Sequence, residues 1–97
     1  MAEYQIMYWK NIPAQIRVTD ANNELNVALP PRFQEAIDAI AMHEGLMGSD
    51  AYLDAWHWGE TLVLPGTAEA VAREVEDELV GQFAESAEEI VNQILER

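Results

Sequence analysis

The chain contains no cysteine. Disulfides, thiolate zinc sites, iron–sulfur clusters and cysteine nucleophiles are thereby excluded. Positive charge is nearly as scarce: five Lys and Arg stand against 18 Asp and Glu, giving a formal net charge of -13. Proteins that hold nucleic acid by electrostatics use Lys and Arg to replace the counterions on phosphate. Here Lys10, Arg17, Arg32, Arg73 and Arg97 are scattered singly along the chain. Neither nucleic acid nor an anionic membrane surface is therefore expected as a partner, whereas a basic protein would be attracted. No run approaches the ~18 consecutive apolar residues of a membrane span. The first residues also lack the basic and apolar regions of a secretion signal, so the expected location is the cytoplasm. What remains has globular composition. Hydrophobic residues make up 49% of 97, enough for one core and one domain over residues 1–97.

The apolar pattern sorts into strands first and helices later. Tyr4, Ile6 and Tyr8 alternate over residues 4–9, which predicts a strand. Asn11-Ile12-Pro13 interrupts it, since proline cannot donate to a ladder and marks a turn, bulge or edge. Ile16 and Val18 resume the alternation over 14–19, and Leu25, Val27 and Leu29 over 24–29. Asp20-Ala21-Asn22-Asn23 lies between them with strong turn chemistry, so the two segments read as a β-hairpin. Pro30-Pro31 ends the hairpin, and proline suits the first position of a helix. Phe33, Ala36, Ile37, Ile40 and Ala41 then recur at helical spacing until Gly45, predicting a helix over 31–44.

Residues 50–58 admit two readings. Ser49 and Asp50 would cap a short helix, while Tyr52, Asp54, Trp56 and Trp58 recur at period two; the aromatic spacing favours a strand. Residues 61–64 read as another strand. Thr67 is a natural N-cap for a helix whose buried stripe is Val71, Val75, Leu79 and Phe83. On it Glu74, Glu76, Asp77 and Glu78 crowd together, and a like-charge pair such as Glu74 and Glu78 costs a few tenths of a kcal/mol. Ser86-Ala87-Glu88-Glu89 has the form of a capping box, so a break is expected between 81 and 86. The order implies an α+β fold: a mainly antiparallel sheet of about four strands with helices packed on one face.

No residue set carries recognisable catalytic chemistry. His43 and His57 form no helical metal pair, and 18 carboxylates put an acid near any histidine by chance. Ser49, Ser86 and Thr67 stand where helix caps are needed, and none lies in a nucleophile-elbow context. No glycine-rich phosphate loop is present. No catalytic residue, metal site or cofactor is therefore expected. The aromatics are more informative. Tyr4, Tyr8, Trp9, Tyr52, Trp56 and Trp58 concentrate in two segments. They either fill a small core or form a contact surface, where Trp and Tyr are heavily used. Trp9 points away from the Tyr4–Ile6–Tyr8 face, so it should look outward or lie under a helix. Lys10 beside it, with Gln15 and Arg17 close by, is where cations and aromatics coincide. The expected partner-binding set is Trp9, Lys10, Gln15, Tyr52, Trp56 and Trp58.

Three motifs together carry a resemblance. Tyr8-Trp9-Lys10-Asn11-Ile12-Pro13-Ala14-Gln15, Leu29-Pro30-Pro31-Arg32-Phe33-Gln34-Glu35-Ala36-Ile37-Asp38 and Gly48-Ser49-Asp50-Ala51-Tyr52-Leu53 with Trp56 resemble the small bacterial family called the virulence factor domain. The likeness covers roughly residues 4–80. It implies a small bacterial protein and carries over no reaction, cofactor or active-site residue. The function expected is that of a non-catalytic interaction or accessory protein. The resemblance also carries an association with one-carbon metabolism, which implies as an alternative a small accessory subunit of a folate- or corrinoid-linked enzyme.

Overall fold

The structure is a computed structural model and describes residues 1–95. Its elements are β1 (Ala2–Trp9), β2 (Ile12–Thr19), β3 (Glu24–Ala28), α1 (Pro31–His43), α2 (Asp50–Asp54), β4 (Trp56–Trp58), β5 (Leu62–Leu64), α3 (Ala68–Gln82) and α4 (Ala87–Leu95). The fold is α+β, with one antiparallel sheet. β1 pairs with β2, and β2 with β3. β4 and β5 both pair with the free side of β1, β4 along Met7–Trp9 and β5 along Ala2–Tyr4. They are two halves of one edge, separated where the chain leaves the ladder at residues 59–61. The sheet is thus four strands wide, although five segments build it.

The expected hairpin is present, with Ile16 opposite Val27 and Val18 opposite Leu25. Register then sorts the side chains. Ile6 faces Ile16, and Tyr4 faces Val18, on the inward side. Gln5 and Arg17, then Met7 and Gln15, share the outward side. Ile16 and Val18 are fully buried, each stabilising the fold by about 1.5–3 kcal/mol relative to exposure. α3 lays its stripe of Val71, Val75 and Leu79 across β1, β2 and β3. α1 packs against β2 and against α4, with Phe33 edge-on to Phe83 at 5.4 Å and Ile90 fully buried.

Two expectations are corrected, and the expected break between 81 and 86 is present. The first turn is at Lys10-Asn11 rather than at 11–13, and β2 begins at Ile12. Pro13 sits inside β2, opposite Tyr8, where the register slips by one residue and Ala14 is left over. A bulge tolerates proline because the ladder is already disrupted there. Residues 50–54 are helical, not strand. Ser49 accepts the Tyr52 N–H at 3.3 Å, and this local cap outweighs the period-two aromatic spacing. Only Trp56–Trp58 continues as strand. The break between the last two helices falls at Phe83–Ser86, and Ser86 accepts the Glu89 N–H as an N-cap does.

Asp20 ties the hairpin to α3. Its carboxylate accepts the Asn22 and Asn23 N–H groups within its own turn and the Ala68 N–H at 2.8 Å. Ala68 is the first residue of α3, whose leading N–H groups have no partner within the helix. These backbone donors hold the Asp20 carboxyl below its usual value of 3.8. A depressed carboxyl contributes stability that is present above its unfolded value and lost as pH falls through the folded one. Asp20→Asn should therefore unfold at lower urea than the wild type at neutral pH. The gap should close as pH falls below about 4, and equal midpoints at pH 7 would contradict this role.

Candidate functional site

The sequence-expected contact residues fall into two groups. Trp9, Lys10, Tyr52 and Trp56 meet at one end of the molecule. Gln15 and Trp58 lie on the outward face of the sheet.

At the first location, Trp9 is fully buried, which corrects the expectation that it forms an accessible contact. It is capped by the 44–56 segment. Its indole N–H donates to the Tyr52 carbonyl at 3.0 Å, and its ring lies 5.7 Å from that of Tyr52. Tyr52 in turn meets Trp56 edge-on at 6.3 Å. The capping segment is pinned from the β1–β2 turn. The Lys10 N–H donates to the Ala55 carbonyl at 3.1 Å, and its ammonium pairs with the Glu44 carboxylate and lies 5.3 Å from the Trp9 ring centre. Lys10 holds φ at +53°, a left-handed conformation uncommon for a residue with a side chain. These contacts on both sides hold it there. Lys10 thus clamps the capping segment to the β1–β2 turn, chiefly through its backbone N–H.

The capping segment also carries residues that period-based reasoning passes over. Gly45 and Gly48 adopt φ of +69° and +76°, which lets the chain double back between α1 and α2. Met42, Met47 and Leu53 are left outside it, 70%, 54% and 65% exposed. Their signal in the sequence is a negative one. Met47 and Leu53 are large apolar residues among Gly, Ser and Asp, while Met42 lies in α1 off its buried stripe.

At the second location, Met7 lies between Gln15 and Trp58 in one row across the outward sheet face. The Arg17 guanidinium stacks 4.1 Å from the centre of the Trp58 ring. Its 3.7 Å ion pair with Glu24 is solvent-exposed and adds little. Trp58 and Tyr52 therefore do not share a face, since one is on a strand and the other on a helix.

The hydroxyl groups considered for catalysis are occupied as caps. Ser49, Thr67 and Ser86 accept N–H groups at the starts of α2, α3 and α4. His57 stacks on Tyr8 at 5.7 Å between ring centres, and its Nδ1 lies 3.1 Å from the Ala55 carbonyl. Among the described residues, no group of three His, Asp or Glu side chains converges as metal ligands would. Among the described residues, no helix is long and apolar enough to cross a membrane.

These observations define a small α+β domain with a buried tryptophan, Trp9, held by Tyr52 and Lys10. The chain belongs to the family described as virulence factor, whose profile matches residues 7–94. The match runs from β1 into α4, so it takes in both aromatic groups and the helix that closes the core. No curated protein and no solved structure matches the chain.

Proposed function

We propose that this protein is a non-catalytic interaction or accessory protein of the bacterial cytoplasm. It binds a protein partner at the end formed by residues 42–56. The observation that carries this reading is that one stretch of chain, residues 42–56, holds three large exposed apolar side chains, Met42, Met47 and Leu53, together with the half-buried Tyr52–Trp56 pair. Large apolar residues left exposed are a mark of interaction sites when they form a patch, and this stretch concentrates three of them. Methionine, being flexible and polarisable, adapts to a partner's shape. The Trp9 anchor and the Lys10 clamp support the same reading, because a pre-ordered surface loses less conformational entropy on binding. The acidic charge favours a basic partner and speeds encounter.

The test uses surface variants that leave the core untouched. Met47→Ser and Leu53→Ser should melt close to the wild type yet lose the protein that co-purifies with the tagged wild-type chain from its native host. Val63→Ser, an equally exposed change on the β5 edge, should retain it. Equal recovery with all three variants would contradict the assignment of this end. Recovery of a folate- or corrinoid-dependent enzyme would identify the accessory role as one in one-carbon chemistry.

A further inference from the structure

A second recess lies on the inward side of β1, at the interrupted edge of the sheet. It encloses about 220 Å³ and is lined by Tyr4, Ile6, Tyr8, Gly59, Glu60 and Leu62. Its shape is built by the break between β4 and β5. The Gly59 N–H donates to the Ile6 carbonyl at 2.8 Å, and Gln5 Nε2 donates to the Gly59 carbonyl at 3.2 Å. A side chain at position 59 would crowd the Tyr8 ring, since its Cβ would come 3.0 Å from it. The glycine thus allows Tyr8 to stand against the edge and wall the recess, backed by the stacked His57.

The recess combines aromatic walls with negative charge. Glu60 stands at its rim. Glu74 and Glu78, one turn apart on α3, are close enough to Tyr4 that their charge adds to burial in holding its phenol above the ordinary value. Among the described residues, none of these three glutamates is in an ion pair. No cation among the described residues lines the recess, and Lys10 and Arg17 contact other groups: Lys10 meets Glu44, and Arg17 meets Trp58 and Glu24. Arg73 is the one cation on α3 and is outnumbered there by five acids. Aromatic ring faces attract cations, and carboxylates nearby strengthen the attraction. The volume is below the roughly 300–1,000 Å³ of pockets that hold cofactor-sized ligands, so it suits one side chain. A second copy of this chain is a poor occupant, because two chains of net charge -13 repel.

We propose that this recess receives the arginine or lysine side chain of a basic segment from a partner protein, seated between Tyr4 and Tyr8 with Glu60 at the rim, while Glu74 and Glu78 on α3, which packs against β1, add to the local negative field. The proposal extends the reading of the protein as an interaction module to a second contact point, and it can fail while the 42–56 end still binds. Leu62, 42% exposed in the recess lining, offers apolar contact to the residues flanking the cation.

The probe is the capped peptide acetyl-Gly-Leu-Arg-Leu-Gly-amide, titrated into the isotope-labelled full chain and followed by NMR. Shifts should concentrate at the Gly59 and Leu62 amides and the Tyr4 and Tyr8 rings. The same peptide with glutamine in place of arginine should bind about tenfold more weakly or worse. The double variant Glu74→Gln, Glu78→Gln should show a similar loss, while Glu88→Gln, Glu89→Gln on α4 should bind as the wild type does. Shifts spread evenly over the acidic helices, equal binding of the glutamine peptide, or no shifts at millimolar peptide would each overturn the proposal. Concentration-dependent shifts at the same residues without peptide would assign the recess to a second copy and overturn it equally.

Discussion

Trp9→Ala should destabilise the fold by about 3–5 kcal/mol, the range for removing a large aromatic side chain from a core. Trp9 is fully buried, and the side chain is the hub that Tyr52 and Lys10 both contact. A domain of this size has roughly 5–15 kcal/mol of total stability, so the melting temperature should fall by tens of degrees. The exchange of Ala for Trp also leaves the Tyr52 carbonyl without its indole donor. Trp9→Phe separates the two contributions. It keeps most of the ring packing and forfeits the hydrogen bond, whose net value is about 0.5–1.5 kcal/mol. Thermal and urea unfolding of both variants check this. A Trp9→Ala protein that melts near the wild-type temperature would mean that the ring is solvent-accessible and that the 44–56 segment does not cap it.

Ile90→Ala should cost about 2–5 kcal/mol, and the loss should be local. Ile90 is the one residue of α4 that is fully buried, and α4 packs chiefly against α1. A helix of nine residues is too short to persist in water without tertiary contacts. When the anchor is truncated, α4 should undock before the sheet melts. Hydrogen exchange should then show protection lost over residues 87–95 and on the α4-facing side of α1, with the β1–β2–β3 ladder still protected. The edge-on contact between Phe33 and Phe83 should weaken in the same variant, because Phe83 leads into α4. Uniform loss of protection across the chain would show instead that α4 is part of the same cooperative unit as the sheet.

Most of the fold was legible because its elements obey one period each. The 14–19 and 24–29 segments alternate strictly about an Asp-Ala-Asn-Asn turn, and the structure pairs them there. Helix α1 follows from Pro31 at its start, the apolar stripe from Phe33 to Ala41, and Gly45 beyond its end. The failures have separate physical causes. At 50–54 one serine hydroxyl accepting a backbone N–H decided the conformation, against aromatic spacing that spoke for a strand. At the first turn the chain reversed at Lys10, whose left-handed φ is not foreseeable from a lysine. Its determinants, Glu44 and the Ala55 carbonyl, lie more than 30 residues away in sequence. The fate of Trp9 was half legible. Alternation placed it opposite Tyr8, but only the three-dimensional path of residues 44–56 shows that this side is covered. Exposure of Met42 follows from its place off the α1 stripe, whereas that of Met47 and Leu53 was illegible, since a residue without a clear period has no face until the chain is folded.

The central claim is that the end formed by residues 42–56, held by a buried Trp9, is where this protein meets its partner. Hydrogen exchange of the chain with and without its co-purified partner tests it most directly. Protection gained over residues 42–56 on binding, with the α1–α4 contact unchanged, is the result expected. Protection confined to another surface, with residues 42–56 exchanging at the same rate in both states, would contradict it.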